Sequence, residues 1–312
     1  MPLTFNRLLL AKAETTYNTS AAPTGTDAFL VGNDLSLQPL QMELVERDLL
    51  YPFLGNRPRL ATQKLAGISF SFELAGSGTA GTAPKPGLFL RASGYGETIV
   101  AATSVTYAPI GSSYEGVTID CRYDGKRHLL TGVRGTVEFE GQANQVGRGK
   151  FSGIGFYSTP TDTPNPSQTF SNQASPAIIN SDNTTPVSVH GYGACMQSFS
   201  FKAGRSPQLH QRAGCAKQIR IDTERKPEGE IVIEAPTITQ KDYFSAAANQ
   251  TLAGISFTHG STAGNTFTFN FNNCSLGDPE YEDSDGVEML KLPFMPIPSA
   301  TNGYDDHTIV FT

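Results

Sequence analysis

Tryptophan is missing from this chain, and charge is thin, with Asp, Glu, Lys and Arg at 17% of 312 residues. Long apolar runs are missing too. The longest near the N-terminus covers residues 8–11 before Lys12 and Glu14 interrupt it. A bilayer crossing takes about twenty apolar residues and a secretory signal roughly seven to fifteen, so a soluble chain made in a cytoplasm is expected. The four cysteines (Cys121, Cys195, Cys215, Cys274) are widely spaced and contain no CxxC pair. Reduced, structural thiols are expected rather than a disulfide frame or a zinc site. The five histidines lack HxH or HExxH spacing, and no serine has the glycine neighbours of a nucleophile elbow. The formal net charge is −6; residues 161–312 carry 9 basic against 16 acidic side chains, a balance that opposes a nucleic-acid grip.

Three local patterns invite chemistry and fail it. The glycine-rich stretch 76–81 is followed by no Lys-Ser/Thr and has no βαβ context, so it reads as a turn and not a phosphate cradle. The acidic stretch 278–286 places Tyr281 at the first ligand position of a calcium loop and Leu292 where the bidentate Glu belongs, leaving a solvated or interface-facing loop. Glu138 with Glu140, and Glu230 with Glu234, could in principle work on a glycosidic bond, but they recur at period two opposite apolar residues. That is the wet side of a half-buried sheet. A chain without enzymatic activity, metal or cofactor is expected.

What is present is β structure with two short helices. Ile68, Phe70, Phe72 and Leu74 alternate with Ser69, Ser71 and Glu73. The glycines of 76–81 follow, and Pro86 can open a helix carrying Leu88, Phe89 and Leu90 and ending at Gly94. The order returns in residues 230–235, where Ile231 and Ile233 alternate with Glu230, Val232 and Glu234. Next comes a helix over 243–248, for which Thr239 and Asp242 fit a capping box. Further strands are expected at 35–40, 104–107, 116–123, 127–131, 136–140, 150–157, 195–201, 266–272 and 289–294, with Asp124-Gly125 as a hairpin turn. Gly260 to Gly264 echoes Gly76 to Gly81 at a non-equivalent place, to which no relationship is assigned.

Strand, long connection, strand and helix recurring at nearly the same spacing read as a duplicated domain. The expected division is 1–158 for the first domain, 159–187 for a Thr/Pro/Asn/Ser-rich linker, and 188–312 for the second domain. Residues 1–27 read as an arm ordered only against a neighbour. The connection 41–60 is unusually apolar for a loop and must be covered by its own domain or by another subunit.

Six stretches carry a resemblance: 9–23 (LLAKAETTYNTSAAP), 45–55 (VERDLLYPFLG), 75–83 (AGSGTAGTA), 130–137 (LTGVRGTV), 225–227 (RKP) and 286–290 (GVEML). In order and spacing they resemble the major tail tube proteins of long, non-contractile-tailed bacteriophages. The resemblance implies a mainly β chain of two tandem tail-tube-type β-sandwich or barrel domains, each flanked by a short helix. It also implies a structural virion protein, assembled in the host cytoplasm into stacked rings whose inner β-barrel passes the genome without binding it. Three duplicated copies per ring would imitate six single domains, and tape-measure, tail terminator and distal tail proteins would be neighbours. On that view Ser69, Ser71, Glu73, Glu138, Glu140, Glu230, Glu234, Thr268 and Asn270 line the lumen. Leu44, Val45, Leu49, Leu50, Tyr51, Phe53 and Leu54 serve contacts between subunits or rings. An inner-tube ring protein of a contractile injection or secretion system and a carbohydrate-binding β-sandwich stay open as alternatives.

Overall fold

The computed structural model describes residues 6–221, 224–301 and 303–312. Its longer strands in the first half are β1 (Arg7–Ala13), β2 (Ser36–Glu46), β3 (Arg59–Glu73), β4 (Tyr95–Val100), β5 (Ser104–Pro109), β6 (Val117–Tyr123), β7 (Lys126–Gln142) and β8 (Arg148–Tyr157), with helix α1 (Gly87–Ala92) between β3 and β4. The second half holds β9 (Thr184–Val189), β10 (Met196–Lys202), β11 (Glu228–Glu234), helix α2 (Tyr243–Ala248), β12 (Ala253–His259), β13 (Phe267–Leu276), β14 (Glu280–Ser284), β15 (Val287–Pro296) and β16 (His307–Phe311). The protein is mainly β, as expected.

One antiparallel sheet runs through both halves in the order β2–β3–β8–β7–β10–β11–β15–β14. The joint is between β7 and β10, where Phe139 pairs with Phe201 and Glu138 with Lys202. Period-two alternation puts Phe70, Phe72, Phe139, Phe151, Phe199, Phe201, Ile231 and Ile233 on the buried side. They pack against α1 and against further strands. Phe89 of α1 meets Phe70 at 4.8 Å and Phe151 at 5.2 Å between ring centroids. Phe269 and Phe271 of β13 meet Phe139 at 5.2 Å and Phe201 at 4.9 Å. Aromatic side chains supply most of this core because each removes a large area from water and interlocks edge to face.

The covering strands have their own ladders. β1 pairs with β6, and β6 pairs with the first part of β7; β9 pairs with β12, β12 with β13, and β13 with β16. β16 then crosses to the first half, pairing Ile309 with Tyr107 of β5. The two halves therefore share ladders at two places.

Several expectations change. Residues 7–13 are strand, with Leu8, Leu9, Leu10 and Ala11 buried by the chain itself, so this part of the expected arm has its partner within the molecule. The stretches 127–131 and 136–140 are one strand, β7, with a register shift between Thr131 and Arg134 that looks like a break in the sequence. Asp124 and Gly125, at φ of 44° and 87°, make the expected tight turn before it. Asp242, not Thr239, caps α2, its carboxylate accepting from the Ser245 N–H at 2.9 Å. Both positions are capping residue types, and only the one whose side chain reaches the third N–H is used. The two glycine loops meet: Gly78 N–H donates to Gly264 O at 2.9 Å, and Gly76 N–H to the Asn265 side chain at 2.8 Å. A Cβ on Gly76 would lie 2.0 Å from Gly264 O, so the contact requires the absent side chain. The segment 159–187 lies on the first half as well as joining it to the second, with Thr163 N–H donating to Gly125 O and Thr169 N–H to Gly25 O.

Candidate functional site

Two surfaces are built unlike the rest. The first is the polar side of the eight-stranded sheet. Because cross-strand partners stand side by side, the ladder registers define rows across it. One row runs Glu73, Arg148, Glu140, Ser200, Glu230, and the next runs Ser71, Lys150, Glu138, Lys202, Glu228. At the far edge Glu280 pairs with Lys291. Lys202 reaches Glu228 at 3.1 Å, and Lys291 reaches Glu230 at 3.3 Å, Glu280 at 3.7 Å and Glu282 at 3.8 Å. The hydrogen bonds to Glu228 and Glu230 push the two lysines above their ordinary pKa, so both stay charged.

Seven of the nine residues expected on one polar wall are brought together here: Ser69, Ser71, Glu73, Glu138, Glu140, Glu230 and Glu234. Thr268 and Asn270 are not, because β13 belongs to the covering strands and pairs with β12 and β16. The pattern that placed them, a polar face opposite phenylalanines, is the same on both kinds of strand. The face also holds groups that the sequence reading passed over: Arg148, Lys150, Lys202, Glu228, Glu280, Glu282 and Lys291. Their period-two positions were the available signal, and Glu280 and Glu282 were obscured by reading a strand as an acidic loop. Glu73, Glu138, Glu140, Glu228, Glu230, Glu234, Glu280 and Glu282 outnumber Arg148, Lys150, Lys202 and Lys291 by four. Every base in this set stands beside at least one carboxylate in the ladder, so the face presents no block of positive charge.

The second surface is a projecting hairpin. The apolar connection is strand at both ends: β2 continues to Glu46 and β3 begins at Arg59, with Val45 opposite Leu60 and Glu46 opposite Arg59, whose side chains meet at 2.6 Å. Leu44, Val45, Leu49 and Phe53 are exposed, and Leu50 and Leu54 at the tip are 100% and 102% exposed. Tyr51 is partly covered, with Phe53 at 5.5 Å and the Arg57 guanidinium over its ring at 5.4 Å. A group of exposed apolar side chains of this kind marks a contact surface.

The arrangement nearest to catalytic geometry is buried. Tyr95 donates its O–H to His307 Nε2 at 2.7 Å, and His307 Nδ1–H donates to Asp306 at 2.7 Å. Arg225 holds the same carboxylate from the other side at 2.9 and 2.5 Å. Burial alone would raise the Asp306 carboxyl, but the His307 and Arg225 donors outweigh it and hold the pKa at about 2. Burial keeps the imidazole below its ordinary value, hence neutral. Tyr95, Asp306 and His307 are at most 2% exposed, so no substrate reaches them, and the group ties β4 and β16 to Arg225. Among the described residues, no group of three or more His, Cys, Asp or Glu could hold a metal ion. No helix among them is long and apolar enough to cross a membrane.

No curated protein matches the chain. Residues 4–296 match the phage tail tube protein family, a span that contains both surfaces and all but the last strand. A mainly β chain with a broad polar sheet face, on which each base stands beside a carboxylate, and an uncovered apolar hairpin is suited to self-association, and over nearly its whole length it belongs to the phage tail tube protein family, structural components of the virion that assemble into a tube.

Proposed function

We propose that three copies of this chain close into a ring, that rings stack into the tail tube of a long, non-contractile-tailed phage, and that DNA passes along the polar side of the eight-stranded sheet. The observation that carries this is the sheet itself. Eight strands per chain, with both outer edges unpaired in the described ladders, give 24 strands for three chains, a closed wall with no edge left.

Domain duplication, with boundaries at 1–158, 159–187 and 188–312, belongs to the same reading. The order β2–β3–β8–β7 in one half and β10–β11–β15–β14 in the other supports it. So does a register shift at matching places, between Val117 and Ile119 and between Ala253 and Ile255.

Ser69, Ser71, Glu73, Glu138, Glu140, Glu230 and Glu234 face the lumen, together with the bases between them. A net excess of four carboxylates per chain repels phosphates, and pairing each base with a carboxylate removes the counterion-release gain that makes DNA bind. The hairpin 41–60 reaches the next ring. Tube ends and interior belong to terminator, distal tail and tape-measure proteins. Negative-stain microscopy with mass photometry of the purified full chain tests this. Three-fold rings or hollow tubes are expected, and monomers persisting at high concentration overturn it.

A further inference from the structure

The ring reading leaves open which edges join and in what register, and the chain contains a template for the joint. β7 and β10 meet inside the molecule as the last strand of one four-stranded set and the first of the next. The free edges β14 and β2 are the last strand of the second set and the first strand of the first.

Ladder partners map one set onto the other. Lys150 of β8, beside Ser71 and Glu138, is set against Lys291 of β15, beside Val232 and Glu280, because each is the base flanked by a carboxylate of the set's last strand; this alignment sets Glu138 against Glu280 and Phe139 against Tyr281. By the same steps Phe70 corresponds to Ile231. Ile68 corresponds to Gly229, whose partner is Phe201, so Leu37, the partner of Ile68, corresponds to Phe201. Ser36 then corresponds to Ser200 and Gln38 to Lys202.

We infer that β14 of one chain pairs antiparallel with β2 of a second copy in the register of the internal joint: Tyr281 opposite Leu37, Glu280 opposite Gln38, and Glu282 opposite Ser36. This rests on the ring reading above.

Three observations support that register. Tyr281 is 55% exposed, whereas its counterpart Phe139 is buried by the internal joint, and Leu37 has the apolar character to meet it. The opposed residues on the lumen side are Glu280 with Gln38 and Glu282 with Ser36, so no like charges face each other. The ladder also has a natural end. In the internal joint Ala203 N–H donates to Val137 O at 3.1 Å. Ala203 corresponds to Pro39, which has no N–H, and Val137 to Pro279, so pairing stops after Gln38 and Glu280 without stranding a donor.

Hydrogen bonds alternate along an antiparallel ladder. Bonds at Ala203–Val137 and Ala143–Gln197 make Glu140–Ser200 a non-hydrogen-bonded pair, whose Cα separation of about 4.5 Å suits a disulfide. The transferred pair is Glu282 and Ser36. The test uses the full chain with the exposed Cys195 and Cys215 changed to Ser. Glu282→Cys with Ser36→Cys, and in parallel Glu280→Cys with Gln38→Cys, are oxidised under assembly conditions, and reduced samples are imaged to confirm that rings still form. The expected product in denaturing gels is a covalent dimer and trimer with no species above three. A slipped control, Glu282→Cys with Gln38→Cys, is expected to remain monomeric. Rings in which the slipped pair links overturn the register, and rings in which no pair links overturn the choice of edges, the ring reading surviving both. Links without three-fold rings leave the joint standing and overturn the ring. Neither rings nor links in any variant overturns both.

Discussion

Replacing Asp306 by Asn probes the buried group that ties the C-terminal strand to the first half. The carboxylate is fully buried, receives two hydrogen bonds from Arg225 and one from His307, and has its pKa held at about 2 against an ordinary value of 3.8. A difference of nearly two units corresponds to roughly 2.5 kcal/mol favouring the ionised group in the folded state. Because the folded pKa is the lower one, this stabilisation is fully present above about pH 4 and is lost as pH falls towards 2. Asn keeps the shape and one acceptor but no charge, and it leaves the guanidinium facing a neutral amide. The variant is expected to lose about 2–3 kcal/mol at pH 7, read as a fall in the guanidinium midpoint at unchanged slope. The gap between variant and native chain should shrink as pH falls from 4 towards 2, because over that range the native chain loses the same contribution. A variant within 0.5 kcal/mol of the native chain at pH 7, or a gap independent of pH between 2 and 5, would refute the assignment of this carboxylate as an ionised structural anchor.

Changing Leu50 and Leu54 to Asp at the fully exposed hairpin tip should leave the chain's unfolding free energy within about 0.5 kcal/mol while abolishing tube growth in sedimentation; tubes of normal length would remove the hairpin from the contacts between rings. Glu138→Lys with Glu140→Lys shifts the polar face by four charges per chain and converts its net excess to zero. Assembled material should then retain duplex DNA at about 50 mM salt and release it near 200 mM, and filter binding equal to the native protein would count against a lumen on this side. Gly76→Ala drives a methyl into the Gly264 carbonyl and should destabilise by about 1–3 kcal/mol, with faster amide exchange at Gly78, whose N–H donates to that carbonyl; a chain with unchanged exchange would mean the loops do not hold each other.

Much of the sheet was legible because half-buried strands write their faces as alternation. Phe70 and Phe72, Ile231 and Ile233, and Phe267, Phe269 and Phe271 all lie where period two puts them. Alternation says which residues share a face but not which strand lies alongside, so Thr268 and Asn270 were grouped with Glu138 although they stand on different layers. Strand ends were hidden where regular structure is interrupted or unusually polar. Gly132 and a register shift split β7 in two, and the acids of β14 resembled a loop because an edge strand wet on one side needs few apolar residues. The contact between the two glycine loops was invisible as well, since a turn and a close backbone approach call for the same residue. The buried Tyr95, Asp306, His307 and Arg225 come from distant parts of the chain, and no local spacing announces them.

The joint between Phe139 and Phe201 has one more consequence. It is formed when the polypeptide folds, with its two sides held together by covalent connectivity, so no freedom of translation or rotation is surrendered to make it. A collar of six equivalent seams would then need only three of them to be found by collision, and the other three would arrive ready-made. Fusing neighbours in this way would lower the protein concentration at which such a collar closes, and it would forbid any collar with an odd number of seams.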